Sequence, residues 1–179
     1  MSMADFGCRF SLYPMCDDFI SIILGALEKT DTSAVYSFTD RVSTVYQGGT
    51  DSVVDAVKGL FVNAFTDGVH MCLEGVFSNR EKAEKVPLPT GHCPNLMKVK
   101  DVHFPAKGKV SLYCPGGEKI LSDVCAACKD VSFAAGPYAV RMDGDIQRIF
   151  SFMEGVISAA EKEKFSLHFT LSVNSPTAE

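Results

Sequence analysis

The chain is poor in most of the features that give a function away. Basic residues do not predominate: 17 lysines and arginines against 22 acidic residues leave a formal net charge of −5, so a phosphate backbone is not an obvious partner and no nucleic acid is expected. Long hydrophobic runs are missing. The longest, Phe19 to Leu27, is interrupted by Ser21 and Gly25 and is too short to span a bilayer. Met1 to Gly7 has neither a basic start nor an apolar stretch, which argues against a secretory signal there. Cysteine is present in an odd number, at Cys8, Cys16, Cys72, Cys93, Cys114, Cys125 and Cys128. Without a signal segment these are expected to be free thiols in a reduced, cytoplasmic protein.

Catalytic patterns are scarce too. Cys125-Ala-Ala-Cys128 is a C-x-x-C, but it falls late in a predicted helix, whereas a redox thiol is activated at a helix N-terminus. No second such pair completes a zinc site. His92, Cys93 and His103 share one stretch at a spacing that fits no common metal site, and they read as loop residues. His70 and His168 fall on the two equivalent last strands, two positions out of register, with no nucleophile near them in sequence. Gly48-Gly49-Thr50 lacks the rest of a P-loop, and its counterpart Asp143-Gly144-Asp145 is acidic, so both read as turns that cap a helix. Asp17 and Asp18 are adjacent, about 100° apart on a helix, which is poor geometry for shared acid–base work. No Ser-His-Asp or Cys-His arrangement stands out. The expectation is a protein that is not an enzyme and carries no metal or cofactor.

What the chain does have is a repeat. Ser11-Leu12-Tyr13 recurs as Ser111-Leu112-Tyr113, at an offset of 111 − 11 = 100. Further on the offset is 96: Val53, Val54, Val57, Leu60, Phe61 and Ala64 match Ile149, Phe150, Met153, Val156, Ile157 and Ala160. A duplicated unit suggests two related pockets.

The pattern within each unit is strand, helix, strand, strand, helix, strand. In the first, Cys8–Tyr13 is strand-like and Asp17-Asp18 opens a helix, where negative charge suits the dipole. Phe19, Ile22, Ile23, Ala26 and Leu27 share a face. Ala34–Phe38 and Val42–Gln47 form a hairpin about Thr39-Asp40-Arg41, Asp51–Phe65 is an amphipathic helix, and Val69–Phe77 alternates. The second unit repeats the order through Lys109–Tyr113, Glu118–Cys128, Val131–Ala134, Tyr138–Met142, Asp145–Ala160 and Phe165–Val173. This βαββαβ order is the ferredoxin-like split motif, an antiparallel sheet with two helices on one face. The expected class is therefore α+β, a tandem repeat of two ferredoxin-like units, spanning 8–78 and 109–174, with a proline-bearing linker at 79–108 that packs over the surface. Cys72 and Glu74 in one last strand, and Ser166, His168, Thr170 and Ser172 in the other, take the face away from the helices. That face is expected to make sheet-to-sheet contact, within the chain or in a homodimer.

One polar decoration remains. Ser43 and Thr44 sit in the first hairpin, with Thr44 in phase with Val42 and Tyr46. A hydroxyl among apolar and aromatic neighbours can orient a small ring ligand. Threonine is also simply a good strand residue, and residue physics alone does not choose.

Phe10-Ser11-Leu12-Tyr13-Pro14-Met15, Asp17-Asp18-Phe19, Lys29-Thr30-Asp31-Thr32-Ser33 and Ser43-Thr44-Val45 closely resemble the YkoF family. So do Tyr138-Ala139, Asp143-Gly144-Asp145 and the closing Asn174-Ser175-Pro176. The resemblance implies tandem ferredoxin-like units that dimerise, bind thiamin and its precursor hydroxymethylpyrimidine without catalysis, and are associated with an uptake transporter. It implies one pocket per unit, between sheet and helices, with contacts from Leu12 and Thr44 in the first unit. The leucine would contribute backbone groups and the threonine its hydroxyl, matching the donor and acceptor on an aminopyrimidine edge. In the second unit Leu112 keeps its place, but Val140 stands at the hydroxyl position. A competent first site and a weakened second are expected.

Overall fold

A computed structural model describes residues 6–80 and 93–176. The first unit comprises β1 (Phe6–Pro14), α1 (Phe19–Lys29), β2 (Tyr36–Thr39), β3 (Thr44–Gly48), α2 (Thr50–Ala64) and β4 (Met71–Ser78). A short helix, α3 (Leu96–Val99), lies in the connection. The second unit comprises β5 (Pro105–Tyr113), α4 (Gly117–Ala127), β6 (Val131–Gly136), β7 (Ala139–Asp145), α5 (Ile146–Ala160) and β8 (Ser166–Val173). The class is α+β, with two ferredoxin-like units in tandem. Among the described residues no helix is long and apolar enough to cross a membrane.

All strand pairings are antiparallel, and the strands form one eight-stranded sheet in the order β2-β3-β1-β4-β8-β5-β7-β6. Within the chain, then, the units do not meet face to face as the polar alternation suggested. They join edge to edge through β4 and β8, from Met71↔Val173 to Ser78↔Ser166. The physical reason is main-chain satisfaction. Each unit alone would leave its last strand as a bare edge, and pairing the two removes both. Polar alternation along a strand reports which face is wet, not which strand lies beside it.

The helices cover one face of this sheet. Cys8, Phe10, Tyr46, Met71, Leu73, Phe77, Val110, Leu167, Phe169 and Leu171 are buried beneath them. So are the six matched apolar pairs of α2 and α5, from Val53 and Ile149 to Ala64 and Ala160. The other face is open and carries the polar alternates, among them Arg9, Ser11, Glu74, Lys109, Ser111, His168 and Thr170.

Arg9 pairs with Val76 as Lys109 pairs with Thr170, so an approximate two-fold relates the units and passes through the pair Gly75↔Phe169. A faithful duplication would set the same residue against itself there. Instead one side is glycine: a Cβ on Gly75 would sit 2.9 Å from Phe169 Cζ and 2.8 Å from the Arg9 carbonyl oxygen. The missing side chain makes room for one ring where two would collide.

The connection packs where it is described. Asn95 is buried and donates from its main chain and its side chain to Asp55 of α2 (3.0 and 2.9 Å). Phe104 stacks on Phe65 at 3.9 Å between ring centres. Gln147 at the start of α5 donates to the carbonyls of Val99 and Val102.

Candidate functional site

β1 is flanked by β3 on one side and β4 on the other, but the two ladders differ in length. Pairing with β4 runs from Gly7↔Ser78 to Pro14↔Met71. Pairing with β3 stops at Phe10↔Thr44. From Ser11 onward the β3 side of β1 has no partner strand among the described residues, which leaves a notch in the sheet beside Leu12. The second unit has the same notch, since β5 pairs with β7 only to Val110↔Val140 but with β8 as far as Tyr113↔Ser166.

The four residues singled out in the sequence line these notches. Leu12 pairs with the buried Leu73, and Thr44 pairs with the buried Phe10, so both face the helices and lie on a diagonal across the notch. Leu112 pairs with Leu167 and Val140 with Val110 in the same way. Leu12, Thr44 and Val140 are half-buried and Leu112 is buried.

The hairpins widen the contrast between the units. On the helix side of the first hairpin stand Ser37 and Thr39 of β2, paired with Tyr46 and Thr44 of β3. All four side chains carry a hydroxyl. The corresponding residues of the second hairpin are Phe133 and Ala135 of β6, paired with Met142 and Val140 of β7. None carries one. The Thr39 and Thr44 Oγ1 atoms are 3.0 Å apart and hydrogen-bonded. Phe133 instead packs on Phe152 of α5 at 4.7 Å between ring centres. Ser37, Thr39 and Tyr46, which share this side of the first hairpin with Thr44, were not singled out in the sequence. The 96-residue offset that matched the helices also carries Ser37 to Phe133 and Tyr46 to Met142, and would have found them.

The Tyr46 hydroxyl is buried and has no hydrogen-bond partner. Burial pushes its pKa up to about 12, with a smaller push from Cys8. The Cys8 thiol is itself pushed well up by burial.

Away from the helices, a groove of about 790 Å³ crosses the open face at the approximate two-fold. Arg9, Ser11, Glu74, Lys109, Ser111, Tyr113 and His168 line it. Its ends are the two hairpin tips. Ser11 Oγ donates to the Val42 carbonyl at 3.1 Å and Ser111 Oγ to the Tyr138 carbonyl at 2.7 Å. Leu12, Thr44, Leu112 and Val140 are not part of this groove. His168 occupies the place of Glu74, not that of His70: Tyr13 donates to Glu74 at 3.2 Å while Tyr113 packs edge-on against His168.

The remaining sequence candidates are dispersed. Cys125 lies in α4 and Cys128 at its C-cap, and the cysteines are free. His92 lies outside the described residues. His103 Nδ1 is 3.1 Å from Asp145 Oδ1, and Cys93 is half-buried with its thiol pushed up by burial. Asp145 caps α5 by accepting from the Gln147 N–H, whereas Gly49 at the start of α2 has no side chain to do so.

A model of the YKOF-related family matches residues 5–80 and 105–178, one match per unit. The chain is 36% identical over 183 residues to a Bacillus subtilis (strain 168) protein named "Putative HMP/thiamine-binding protein YkoF", an alignment covering 96% of this chain and 91% of the relative. The chain belongs to the YKOF-related family.

Proposed function

We propose that this member of the YKOF-related family binds thiamin or its hydroxymethylpyrimidine precursor without catalysis, and that the working pocket is the notch of the first unit. The observation that carries the reading is the early end of the β1–β3 ladder at Phe10↔Thr44. It leaves main-chain groups of β1 beside Leu12 outside the ladder, with the Thr44 hydroxyl across the gap. An aminopyrimidine edge, with its adjacent donor and acceptor, can take the place of the absent strand. The name of the Bacillus subtilis relative supports the same ligand class. In the second unit Leu112 keeps the main-chain half of the arrangement, but Val140 and Ala135 supply no hydroxyl, so that site is weakened. A role in vitamin uptake or salvage, beside a transporter, follows by family analogy alone.

Isothermal titration with thiamin and, separately, hydroxymethylpyrimidine tests this on the wild type and on Thr44→Val. A lost contact that leaves a ligand group unpaired costs about 1–3 kcal/mol, roughly tenfold to a hundredfold in affinity. Binding near one strong site per chain, weakened by that factor in the variant, is the expected result. Two equal strong sites that ignore the substitution would overturn it.

A second reading is favoured by the groove on the open face. The face of the eight-stranded sheet away from the helices, which no described element covers, is a surface that a second copy could cover, making the protein a homodimeric scaffold. An unchanged Thr44→Val protein that binds neither compound, yet is dimeric by light scattering, would put this reading first.

A further inference from the structure

Tyr46 holds the buried side-chain polar atom that, among the described residues, lacks a hydrogen-bond partner. Its exposure is 0%, and its ring lies edge-on to Phe10 at 4.9 Å between centres. Buried tyrosine hydroxyls normally find a partner, because leaving one unsatisfied is unfavourable. The fold does not need a hydroxyl here. Met142 occupies the equivalent position in the second unit, buried against Phe133, and carries none. Tyr46 and Thr44 are alternate residues of β3 and so point to the same side, about 7 Å apart along the strand.

We propose that the Tyr46 hydroxyl is a ligand-contacting group of the first-unit site, orphaned in the empty protein because its partner is the ligand. It donates to a ring nitrogen of an aminopyrimidine whose other polar groups meet Thr44 and the main chain beside Leu12. The inference rests on the aminopyrimidine reading above and adds the residue that sets specificity. Since the hydroxyl is fully covered, the layer over it must part for the ligand to enter. Helix α2 packs against β3, and α1 packs against α2 and β1; of the two α1 is the less tightly held, with Ala26 its one buried residue.

The test compares wild type with Tyr46→Phe and with Tyr46→Met, the latter borrowing the residue of the second unit. Each is titrated with hydroxymethylpyrimidine and with thiamin, and each ligand-free protein is melted. Both variants are expected to bind tenfold to a hundredfold more weakly. The ligand-free melting temperature of Tyr46→Phe should stay level or rise, because an unsatisfied buried group has been removed. That opposite movement is what a merely structural tyrosine does not produce. Variants that bind as the wild type does, or that melt earlier with affinity intact, would overturn the inference while leaving the ligand class standing. A wild type that binds neither compound would overturn both.

Discussion

The two units share a backbone plan and differ in what they place on it. In the second unit the helix side of the hairpin is carbon: the half-buried Phe133 packs against the buried Phe152, beside Met142, with Val140 and Ala135 further along. In the first, the same positions hold Ser37, Thr39, Thr44 and Tyr46, and Phe152 is answered by Ala56. The first helices diverge in the opposite sense. Helix α4 turns a Lys119–Asp123 ion pair outward, at 2.6 Å. Helix α1 turns outward Phe19, Ile20, Leu24 and Leu27. One copy thus packs its hairpin on its second helix through a pair of rings and keeps a polar pair on its first helix. The other lines the helix side of its hairpin with hydroxyls, from the exposed Ser37 and Thr39 through the half-buried Thr44 to the buried Tyr46, and leaves apolar side chains on the outside of its first helix, a distribution that folding alone would not favour. A buried hydroxyl without a partner at Tyr46, and carbon where water would be preferred on α1, set the first unit apart from the second.

Breaking the packed copy should have the largest effect. Phe152 is almost wholly buried, and Phe152→Ala, which gives α5 the residue α2 already has, is expected to cost about 3–5 kcal/mol. Urea unfolding followed by circular dichroism measures it. A loss well under that range would mean the second hairpin is no better packed than the first, and the comparison would dissolve. Next is the point where the copies touch. Gly75→Ala places a methyl group 2.8 Å from the Arg9 carbonyl oxygen and 2.9 Å from Phe169. Overpacking of that kind costs about 1–3 kcal/mol. Adding Phe169→Leu should return part of the loss, because the ring is one of the atoms in the way. If the double variant is merely the sum of the singles, the ring is not what the glycine accommodates.

The order of elements was legible in the sequence because both periodicities are clean. Phe165, Leu167, Phe169, Leu171 and Val173 alternate without a fault, and Val53 to Ala64 keep helical spacing. The positions of Leu12, Thr44, Leu112 and Val140 on the helix side of the sheet were also within reach, since phase along a strand fixes the face. What phase does not fix is the neighbour. Nothing in Met71–Ser78 says that its free edge will be closed by Ser166–Val173, so of the two places expected for sheet-to-sheet contact, the one within the chain is replaced by an edge joint. The notch escaped for the same reason: that β1 has two partners up to Phe10 and one beyond it is a property of register between strands. The four-hydroxyl wall was hidden by a different cause. Ser37 and Thr39 look like ordinary hairpin residues until β2 is set against β3 and the second unit beside the first.

The smallest effect sharpens the comparison at the hairpin tips. In the first tip the Arg9 guanidinium donates to Asp40 at 2.8 Å, and the Val42 and Ser43 N–H groups donate to its other oxygen. Together they hold its carboxyl well below the usual carboxylate range, the Arg9 hydrogen bond contributing most. In the second tip Gly136 stands where Asp40 does, so there is no carboxylate to lose. The sign follows from linkage. A carboxyl whose pKa is depressed on folding lends its stabilisation above its unfolded value, near pH 4, and withdraws it as the pH falls through the lower folded value. Acid should therefore loosen the first tip and spare the second. Because Asp40 lies at an exposed tip the change is modest, and it belongs in a local readout: amide exchange at Val42 and Ser43 should quicken below about pH 4, while Tyr138 and Ala139 keep their rates relative to the intrinsic curve. Asp40→Asn should remove the pH dependence and leave the tip permanently in its looser state. Equal acid response at both tips would show that the carboxylate is a bystander, and that the tips, unlike the hairpins behind them, have not diverged in what holds them.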